Sequence, residues 1–363
     1  MSLSKQPHLR AFTATLAVLA TLLLASPAQS RPLYRITGTL QLPGEGGWDD
    51  LTFDSAGHRL FIAHGSRVDV VDTDRLARVG EIADTPGVHG IALAPELGRG
   101  YVSAGAAGTI VVFDLKTLER LKDIRSTGEN PDAIVYDPAS RRIFAFNGRG
   151  RNATVIDAVG NEVIGTIPLD AKPEFARADA QGRVYVNLED KNSLAVIDSR
   201  TLSVVAVWPI SGCEEPSGLA LNAAGRQLYA ACANHVMAVV DAASGRVVGT
   251  APIGGGADGA GYDPGARLAF ASCGEGVLMA ITQEPSGVPR VAQSLPTQPG
   301  ARTMALDERT HRIFLVTSDF GDAPVPTPEH PHPRRSIVPG TFRLLVVGRF
   351  AEKITNSAEG RNP

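Results

Sequence analysis

Apolar and polar positions repeat along the chain in one pattern, a short aliphatic segment that ends in aspartate. The clear copies are VDVVD at 68–72, IVVFD at 110–114, ATVID at 153–157, LAVID at 194–198 and MAVVD at 237–241, and the weaker ones are LMAIT at 278–282 and LLVVG at 344–348. The last residues of successive copies are 42, 43, 41, 43, 41 and 66 residues apart. A period of about 42 residues indicates a repeat array of seven units, with an insertion in the seventh.

Each unit contains about four segments of strand length, which in the second unit are roughly 88–94, 99–104, 109–114 and 119–124. Four short antiparallel strands cannot bury both of their faces, so the units must stack on one another. Radial stacking closes such an array into a ring, whereas a linear array needs polar caps, which the sequence does not show. We therefore predict an all-β fold, a seven-bladed β-propeller of four-stranded blades over 31–350.

The two ends of the array predict how the ring closes. YRITGTLQLPG at 34–44 matches the fourth-strand segments NEVIGTIPLD at 161–170 and LERLKDIRSTG at 118–128, and the last unit has no fourth strand of its own. The N-terminal segment is therefore predicted to pair into the last blade as its outer strand. This exchange leaves no long unpaired edge.

Composition agrees with many short strands joined by turns. The chain has 38 glycines and 25 prolines in 363 residues, and 43% of its residues are hydrophobic. This much glycine and proline argues against a helical bundle, and the apolar fraction is too high for a disordered chain.

The first thirty residues have the features of a secretory signal peptide. Lys5 and Arg10 precede an apolar run over 11–25, and Ala28-Gln29-Ser30 supplies small residues for cleavage. An uncleaved anchor is the alternative. Cleavage of 1–30 moves the formal net charge from −3 to −5, which gives no general attraction to nucleic acid. We expect a periplasmic or secreted monomer with a polar C-terminal tail at 351–363.

Alignment of the repeats predicts a ring of polar side chains at the top of the central channel, where the first strand of every blade begins. The equivalent positions are Asp49, His89, Asp132, Glu174, Ser217, Asp258 and Arg302. Solvated or mutually hydrogen-bonded side chains are one interpretation, because channel walls are wet. Crowded carboxylates raise each other's pKa unless a cation offsets them, so a small cationic ligand or a divalent metal ion is the other. Trp48 either stacks on a ligand or is buried between blades.

The insertion at 318–342 interrupts blade seven between its second and third strands, which places it on the top face. Its six prolines favour a stiff, extended path that loses little entropy if it covers a ligand. The candidate metal ligands in it are Glu329, His330 and His332, and the candidate anion-binding residues are Arg334 and Arg335. A charged, solvated loop is the alternative.

Three cysteines allow three pairings, of which Cys213 with Cys232 is favoured because both lie at the top of blade five. Cys273 would then be buried and free, and a soft-metal cluster of the three with His235 is the alternative. His64 and His235 lie at strand ends on the top face, where a single histidine is more often a solvated turn residue. His58 and His311 occupy bottom turns, where a structural use is expected.

These units resemble a known repeat. The unit ALNAAGRQLYAACANHVMAVVD at 220–241 and its partners are similar to the YVTN type of β-propeller repeat, and residues 33–350 resemble the exported YncE-like family. The resemblance implies a propeller with a proline-rich segment before its last strand. It implies no particular chemistry, since YVTN propellers serve many purposes.

The functional hypotheses start from the catalytic and cofactor-binding motifs that the sequence does not contain. There is no nucleophile elbow, phosphate-binding loop, haem-attachment motif or zinc-protease helix. The leading hypothesis is a non-enzymatic module that presents its top face to a small ligand or a protein partner. The alternatives are a metal-assisted lactonase or lyase at the rim, and single-stranded nucleic-acid binding through Arg302, Arg334, Arg335 and Trp48.

Overall fold

A computed structural model of the chain describes residues 2, 33–284, 287–324, 327 and 335–350. The predicted signal peptide, apart from Ser2, and the predicted tail at 351–363 lie outside the described residues. Among the residues described, no helix has the length and apolarity needed to cross a membrane.

The described strands form seven four-stranded antiparallel sheets, as predicted. Blade one contains β2 (Trp48–Asp54), β3 (Arg59–His64), β4 (Arg67–Asp72) and β5 (Ala77–Ile82). Blade two contains β6 (Val88–Ala94), β7 (Arg99–Ala104), β8 (Thr109–Asp114) and β9 (Arg120–Arg125). Blade three contains β10 (Pro131–Asp137), β11 (Arg142–Asn147), β12 (Asn152–Asp157) and β13 (Glu162–Pro168).

The remaining blades repeat this order. Blade four contains β14 (Pro173–Ala178), β15 (Arg183–Leu188), β16 (Ser193–Asp198) and β17 (Ser203–Pro209). Blade five contains β18 (Pro216–Asn222), β19 (Gln227–Cys232), β20 (Val236–Asp241) and β21 (Val247–Pro252). Blade six contains β22 (Ala257–Asp263), β23 (Leu268–Cys273), β24 (Val277–Gln283) and β25 (Pro289–Pro296). Short 3₁₀ turns cover Pro95–Leu97 and Glu189–Lys191.

Blade seven is completed by the start of the chain, as the sequence predicts. It contains β26 (Met304–Asp307), β27 (Arg312–Thr317) and β28 (Arg343–Arg349), and β1 (Tyr34–Gln41) pairs antiparallel with β28 as the outer strand. The main chain of Tyr34 also exchanges two hydrogen bonds of 2.8 Å with the side chain of Gln293 in blade six. The ring is therefore closed by pairing between its two ends.

The core lies between neighbouring blades and is built from their two middle strands. These strands are aliphatic and almost continuously buried, because each has a blade on both faces. The aspartates that close the third strands make the turn to the fourth strand. Asp72 and Asp114, for example, each accept a hydrogen bond of 2.8 Å from the backbone N–H three residues later. The periodic Asp of the sequence is therefore a turn-forming residue.

The strand limits predicted for blade two agree with the structure except at the fourth strand, which begins at Arg120. The turn after Asp114 is closed by a backbone hydrogen bond of 2.9 Å from Asp114 N–H to Glu119 O. His58 and His311 lie in equivalent bottom turns, both with positive φ (50° and 58°), and their rings pair with Asp74 and Asp263.

Candidate functional site

The channel rim is formed by irregularities in the first strands. In each of the first six blades, the pairing of the first and second strands shifts register near the top. The shifts lie between Trp48 and Leu51, Val88 and Ile91, Pro131 and Ile134, Pro173 and Ala176, Pro216 and Leu219, and Ala257 and Gly259. Each interval contains the rim residue predicted for that blade. A bulge leaves a residue outside the ladder and changes the direction of its side chain.

The structure brings all seven predicted rim residues to one cavity of about 940 Å³ at the top of the channel. They come from seven different blades, so no pair of them is close in sequence. The members are Asp49, His89, Asp132, Glu174, Ser217, Asp258 and Arg302. The ring therefore brings together residues that are far apart in the sequence, as predicted.

Three of these residues form a compact triad. His89 Nδ1 lies 2.6 Å from Asp49 Oδ2 and 3.5 Å from Asp132 Oδ1. One ligand-type atom from each residue lies within 4.8 Å of the other two. Asp132 also accepts a hydrogen bond of 3.4 Å from Asn130 Nδ2. An imidazole between two carboxylates can hold either a proton or a metal ion.

The electrostatics of the triad favour a protonated imidazole. Burial by itself would lower the pKa of His89, but the hydrogen bond to Asp49 and the charges of Asp132 and Glu174 outweigh it and raise the pKa to about 9. Burial raises the pKa of Asp132 to about 6, against the opposing charge of His89. Strongly shifted groups gathered in a cleft are typical of functional sites.

Glu174 is held by a lysine that the sequence analysis did not single out. Lys172 Nζ lies 2.7 Å from Glu174 Oε1, and it also contacts Glu189. Burial and the charge of Asp132 raise the pKa of Glu174 to about 8 in spite of this lysine. Lys172 directly precedes the first strand of blade four, and Glu189 follows the second. Alignment of the top loops as well as the strands would have found both.

On the other side of the ring, Asp258 is fully engaged. Arg302 Nε donates to Asp258 Oδ2 at 2.7 Å, and Ser217 Oγ donates to Asp258 Oδ1 at 2.6 Å. Arg302 Nη2 also donates to the main-chain oxygen of Trp48 at 2.9 Å. This carboxylate therefore has a permanent cation from the protein itself.

Two charged residues below the rim were not predicted. Asp50 and Arg177 line the top cavity and also a cavity of about 750 Å³ at the bottom, which places them between the two ends of the channel. Burial raises the pKa of Asp50 to about 7, although the charge of Arg177 opposes it. Asp50 directly follows the rim residue Asp49. In a regular strand the two side chains would point to opposite faces, but the bulge between Trp48 and Leu51 lets both line the channel.

Trp48 is a core residue and does not present a free stacking face. Its side chain is 5% exposed, its ring packs between Phe320 and Phe342, and Nε1 donates to Gly300 O at 3.2 Å. Of the two sequence interpretations, burial is the one the structure shows. The small exposed part of Trp48 lines the cavity, with the guanidinium carbon of Arg302 6.0 Å from the centre of its ring.

The described part of the insertion covers one side of the cavity. Phe320 and Ile337 form a single antiparallel bridge, and Arg335 Nε donates to Gly321 O at 2.7 Å. Phe320, Arg335 and Ile337 all line the cavity, so Arg335 lies where an anion-binding residue was predicted. The other four candidates lie outside the described residues: Glu329, His330, His332 and Arg334.

His64 differs from its prediction as a solvated turn residue. It is fully buried, with Nδ1 2.9 Å from Asp69 Oδ2 and its ring stacked 3.9 Å from Phe342. Phe342 belongs to the insertion, which therefore contributes to the burial of this strand end. His235 is exposed, in a turn with positive φ.

Cys213 and Cys232 form a disulfide at the top of blade five, with Cα atoms 5.4 Å apart. Cys273 is buried and free. Because two of the three thiols are bonded to each other, the proposed cluster of three cysteines with His235 is not present.

Comparison with solved structures finds the same fold in distant proteins. A chain of Kuenenia stuttgartiensis hydrazine synthase is 16% identical, with a TM-score of 0.65 over 76% of this chain and 94% of that one. A chain of a mitotic checkpoint complex is 13% identical, with a TM-score of 0.71 over 94% and 99%. The RRP9 WD40 repeats are 8% identical, with a TM-score of 0.71 over 86% and 97%. Identities this low show the fold alone.

No protein-family model matches the chain, and no curated protein sequence matches it.

Proposed function

We propose that the protein is a non-enzymatic binding module whose top cavity takes a cationic group, either of a small ligand or of a protein partner. The supporting observation is the charge of the cavity wall. Among the described residues that line it, six carboxylates face three arginines and one histidine. The carboxylates are Asp49, Asp50, Asp132, Glu174, Glu189 and Asp258.

The acidic residues are concentrated on one side. Asp49, Asp132 and Glu174 belong to blades one, three and four, where Arg177 is the arginine that lines the cavity, whereas Arg302 and Arg335 lie on blade seven. A cation that enters the cavity is attracted to the side of blades one to four, where burial strengthens the interaction. Burial raises the pKa values of Asp132 and Glu174 on this side. A bound cation would lower these values again and so favour the charged carboxylates.

The cavity is built before any ligand arrives. Its floor consists of strand residues from blades one to six and the loop that enters blade seven, and one wall is the bridge between Phe320 and Ile337. A rigid wall avoids the entropy loss of ordering loops on binding. Propellers commonly serve as protein-interaction scaffolds, and a mitotic checkpoint complex contains one of similar fold.

The experiment is a thermal-shift titration of the purified protein with spermidine, an Arg-Lys-Arg peptide and, as a matched anion, a Glu-Asp-Glu peptide. We expect the two cationic probes to raise the melting temperature and the acidic peptide to leave it unchanged, because a ligand that binds only the folded state stabilises it. At a hundred times Kd the stabilisation is about 2.7 kcal/mol. If neither cationic probe shifts the transition, the proposal is wrong.

Two variants locate the binding. A double change of Asp132→Asn and Glu174→Gln removes acidic charge from the binding side, and should abolish the shift. Asp72→Asn changes a bottom-turn acid and should leave it intact. Replacement of 322–334 by two glycines keeps the bridge of Phe320 with Ile337 and tests the insertion. A periplasmic protein captured by the intact chain but not by this variant would assign the insertion to partner binding.

We also propose that the protein is an exported member of the YncE-like family. The apolar run at 11–25 and the YVTN-type repeat support this, and so does the bond between Cys213 and Cys232, since disulfides persist in oxidising compartments. Fractionation of an expressing Gram-negative host, with N-terminal sequencing, tests it. The mature chain should begin at Arg31, and recovery of uncleaved protein from the cytosol would contradict export.

A further inference from the structure

Among the described residues, two rim carboxylates differ from the others because no lysine or arginine forms an ion pair with them. Asp258 is paired with Arg302 at 2.7 Å, and Glu174 with Lys172 at 2.7 Å. In the described part of the chain, the ion pairs of Asp49 and Asp132 are both with His89. This pair of carboxylates can therefore accept an added cation without displacing a lysine or arginine.

The separation of the three side chains suits a single ion. A first-row divalent ion bound about 2.1 Å from each ligand atom places neighbouring ligand atoms about 3.0–3.4 Å apart. The observed separations from His89 Nδ1 are 2.6 Å to Asp49 Oδ2 and 3.5 Å to Asp132 Oδ1. All three ligand atoms lie within 4.8 Å of one another, so short shifts of the side chains bring them to such an ion. The ring of blades supplies this arrangement, since the residues come from three successive first strands.

A glycine beside the imidazole leaves the space that its ring occupies. A Cβ on Gly105, in the loop between the second and third strands of blade two, would lie 2.7 Å from Cδ2 and 2.8 Å from Nε2 of His89. The φ of Gly105 is not positive, so alanine suits the backbone, and what obstructs it is the His89 ring together with Asn130 Oδ1, 2.9 Å from that Cβ. A larger residue at position 105 would displace the His89 ring from the position in which Nδ1 lies close to Asp49 and Asp132.

The geometry points to a divalent metal site formed by Asp49, His89 and Asp132, with its remaining coordination positions facing the cavity. One imidazole and two carboxylates match Zn²⁺ or Mn²⁺ better than Ca²⁺, which takes oxygen ligands. This inference rests on the proposed function and deepens it, because the metal ion is then the cation that the acidic side takes. The ion replaces the proton on Nδ1, so binding releases that proton.

The test is equilibrium dialysis of the chelator-stripped full-length protein against Zn²⁺ and, separately, Mn²⁺, followed by elemental analysis. We expect one tightly bound equivalent. Asp49→Asn, His89→Gln and Asp132→Asn should each weaken binding at least tenfold. Gly105→Ala keeps all three ligands but displaces the imidazole, so it should also weaken binding. Circular dichroism and the melting temperature of each variant show whether it is folded.

Two controls separate this site from other metal-binding groups. Asp72→Asn removes a bottom-turn acid outside the cavity and should keep the full affinity. The double variant His330→Ala and His332→Ala removes the histidines of the insertion and should keep it as well. No bound equivalent, retention of binding in all three triad variants, or its loss in the insertion variant alone would each overturn the inference.

The result is independent of the thermal-shift test above. If no metal ion binds but spermidine still stabilises the protein through Asp132 and Glu174, the metal site is wrong and the proposed function stands. If neither binds, both fail.

Discussion

Asp132 and Asp137 lie at opposite ends of the same strand, β10, and have opposite roles. Asp137, at the bottom, is buried and accepts hydrogen bonds from the backbone N–H groups of Ala139 (3.2 Å) and Ser140 (3.1 Å). Asp132, at the top, has no backbone donor among the described residues, and it faces His89 at 3.5 Å. The same residue type therefore closes a turn at one end and lines a cavity at the other.

The difference extends to other blades. The bottom acids Asp72, Asp114 and Asp198 have lowered pKa values because backbone N–H groups bind their charged form. The top acids Asp132 and Glu174 have raised pKa values because burial disfavours their charged form. A carboxylate that the fold itself stabilises is structural, whereas one that the fold destabilises is free to be stabilised by a ligand.

The largest expected effect is on the stability of the bottom turn. Asp137→Ala removes a buried acceptor from the N–H groups of Ala139 and Ser140 and from the Ser140 hydroxyl, and should lower the free energy of unfolding by about 2 kcal/mol in urea denaturation. Asp137→Asn keeps one acceptor oxygen, so it can accept the bond from Ala139 or those from Ser140 but not both, and it should recover only part of the loss. Asp132→Asn, in the same strand, should change stability by less than about 0.5 kcal/mol. Equal losses at the two ends would remove the distinction.

An intermediate effect is expected in the pH dependence. The pKa of Glu174 is about 8 in the folded protein against an ordinary value of 4.5, so the folded state holds a proton that the unfolded state loses. This contribution to stability is present at low pH and is lost as pH rises from about 4.5 to 8. His89, with a pKa raised from 6.5 to about 9, acts in the same direction between those two values.

The measurement is the melting temperature of the native protein and of Glu174→Gln at pH 5 and pH 8. The native protein should lose a few degrees more than the variant, since glutamine has no proton to release. Parallel curves would show that Glu174 is ionised in the folded state at both pH values.

The smallest effect is expected for an exposed bottom turn. Asp72 lies at the surface, where its turn bonds compete with water, so Asp72→Asn should cost less than about 0.5 kcal/mol in urea denaturation. It should also leave metal and spermidine binding unchanged. A loss as large as that of Asp137→Ala would mean that the stability contributed by a bottom-turn aspartate does not depend on its burial.

The fold was predictable in detail because each unit repeats one local pattern. The seven copies that end at or near Asp72, Asp114 and their equivalents define the number of blades, and the match of 34–44 to fourth strands predicts the closure. Aligned first strands also predicted which seven residues share the cavity. These features follow from the repeat period, which can be detected from the sequence alone.

The contacts that the sequence did not predict are those between elements with no repeat relationship. Lys172 and Arg177 were missed because only the first strands were aligned, whereas Lys172 lies in the loop before β14 and contacts Glu189 of another loop, and Arg177 interacts with Asp50 of blade one. Trp48 and His64 were open questions until Phe320 and Phe342 of the insertion covered them.

The order of residues by itself determined a ring of seven similar sheets, the turn aspartates at its bottom and the polar positions at its top, since each of these needs only local pattern and repetition. Only the tertiary structure decided which rim carboxylates have a cation and which do not. Ion pairing depends on distances of a few ångströms between separate blades, and bulges, loops and the insertion set those distances.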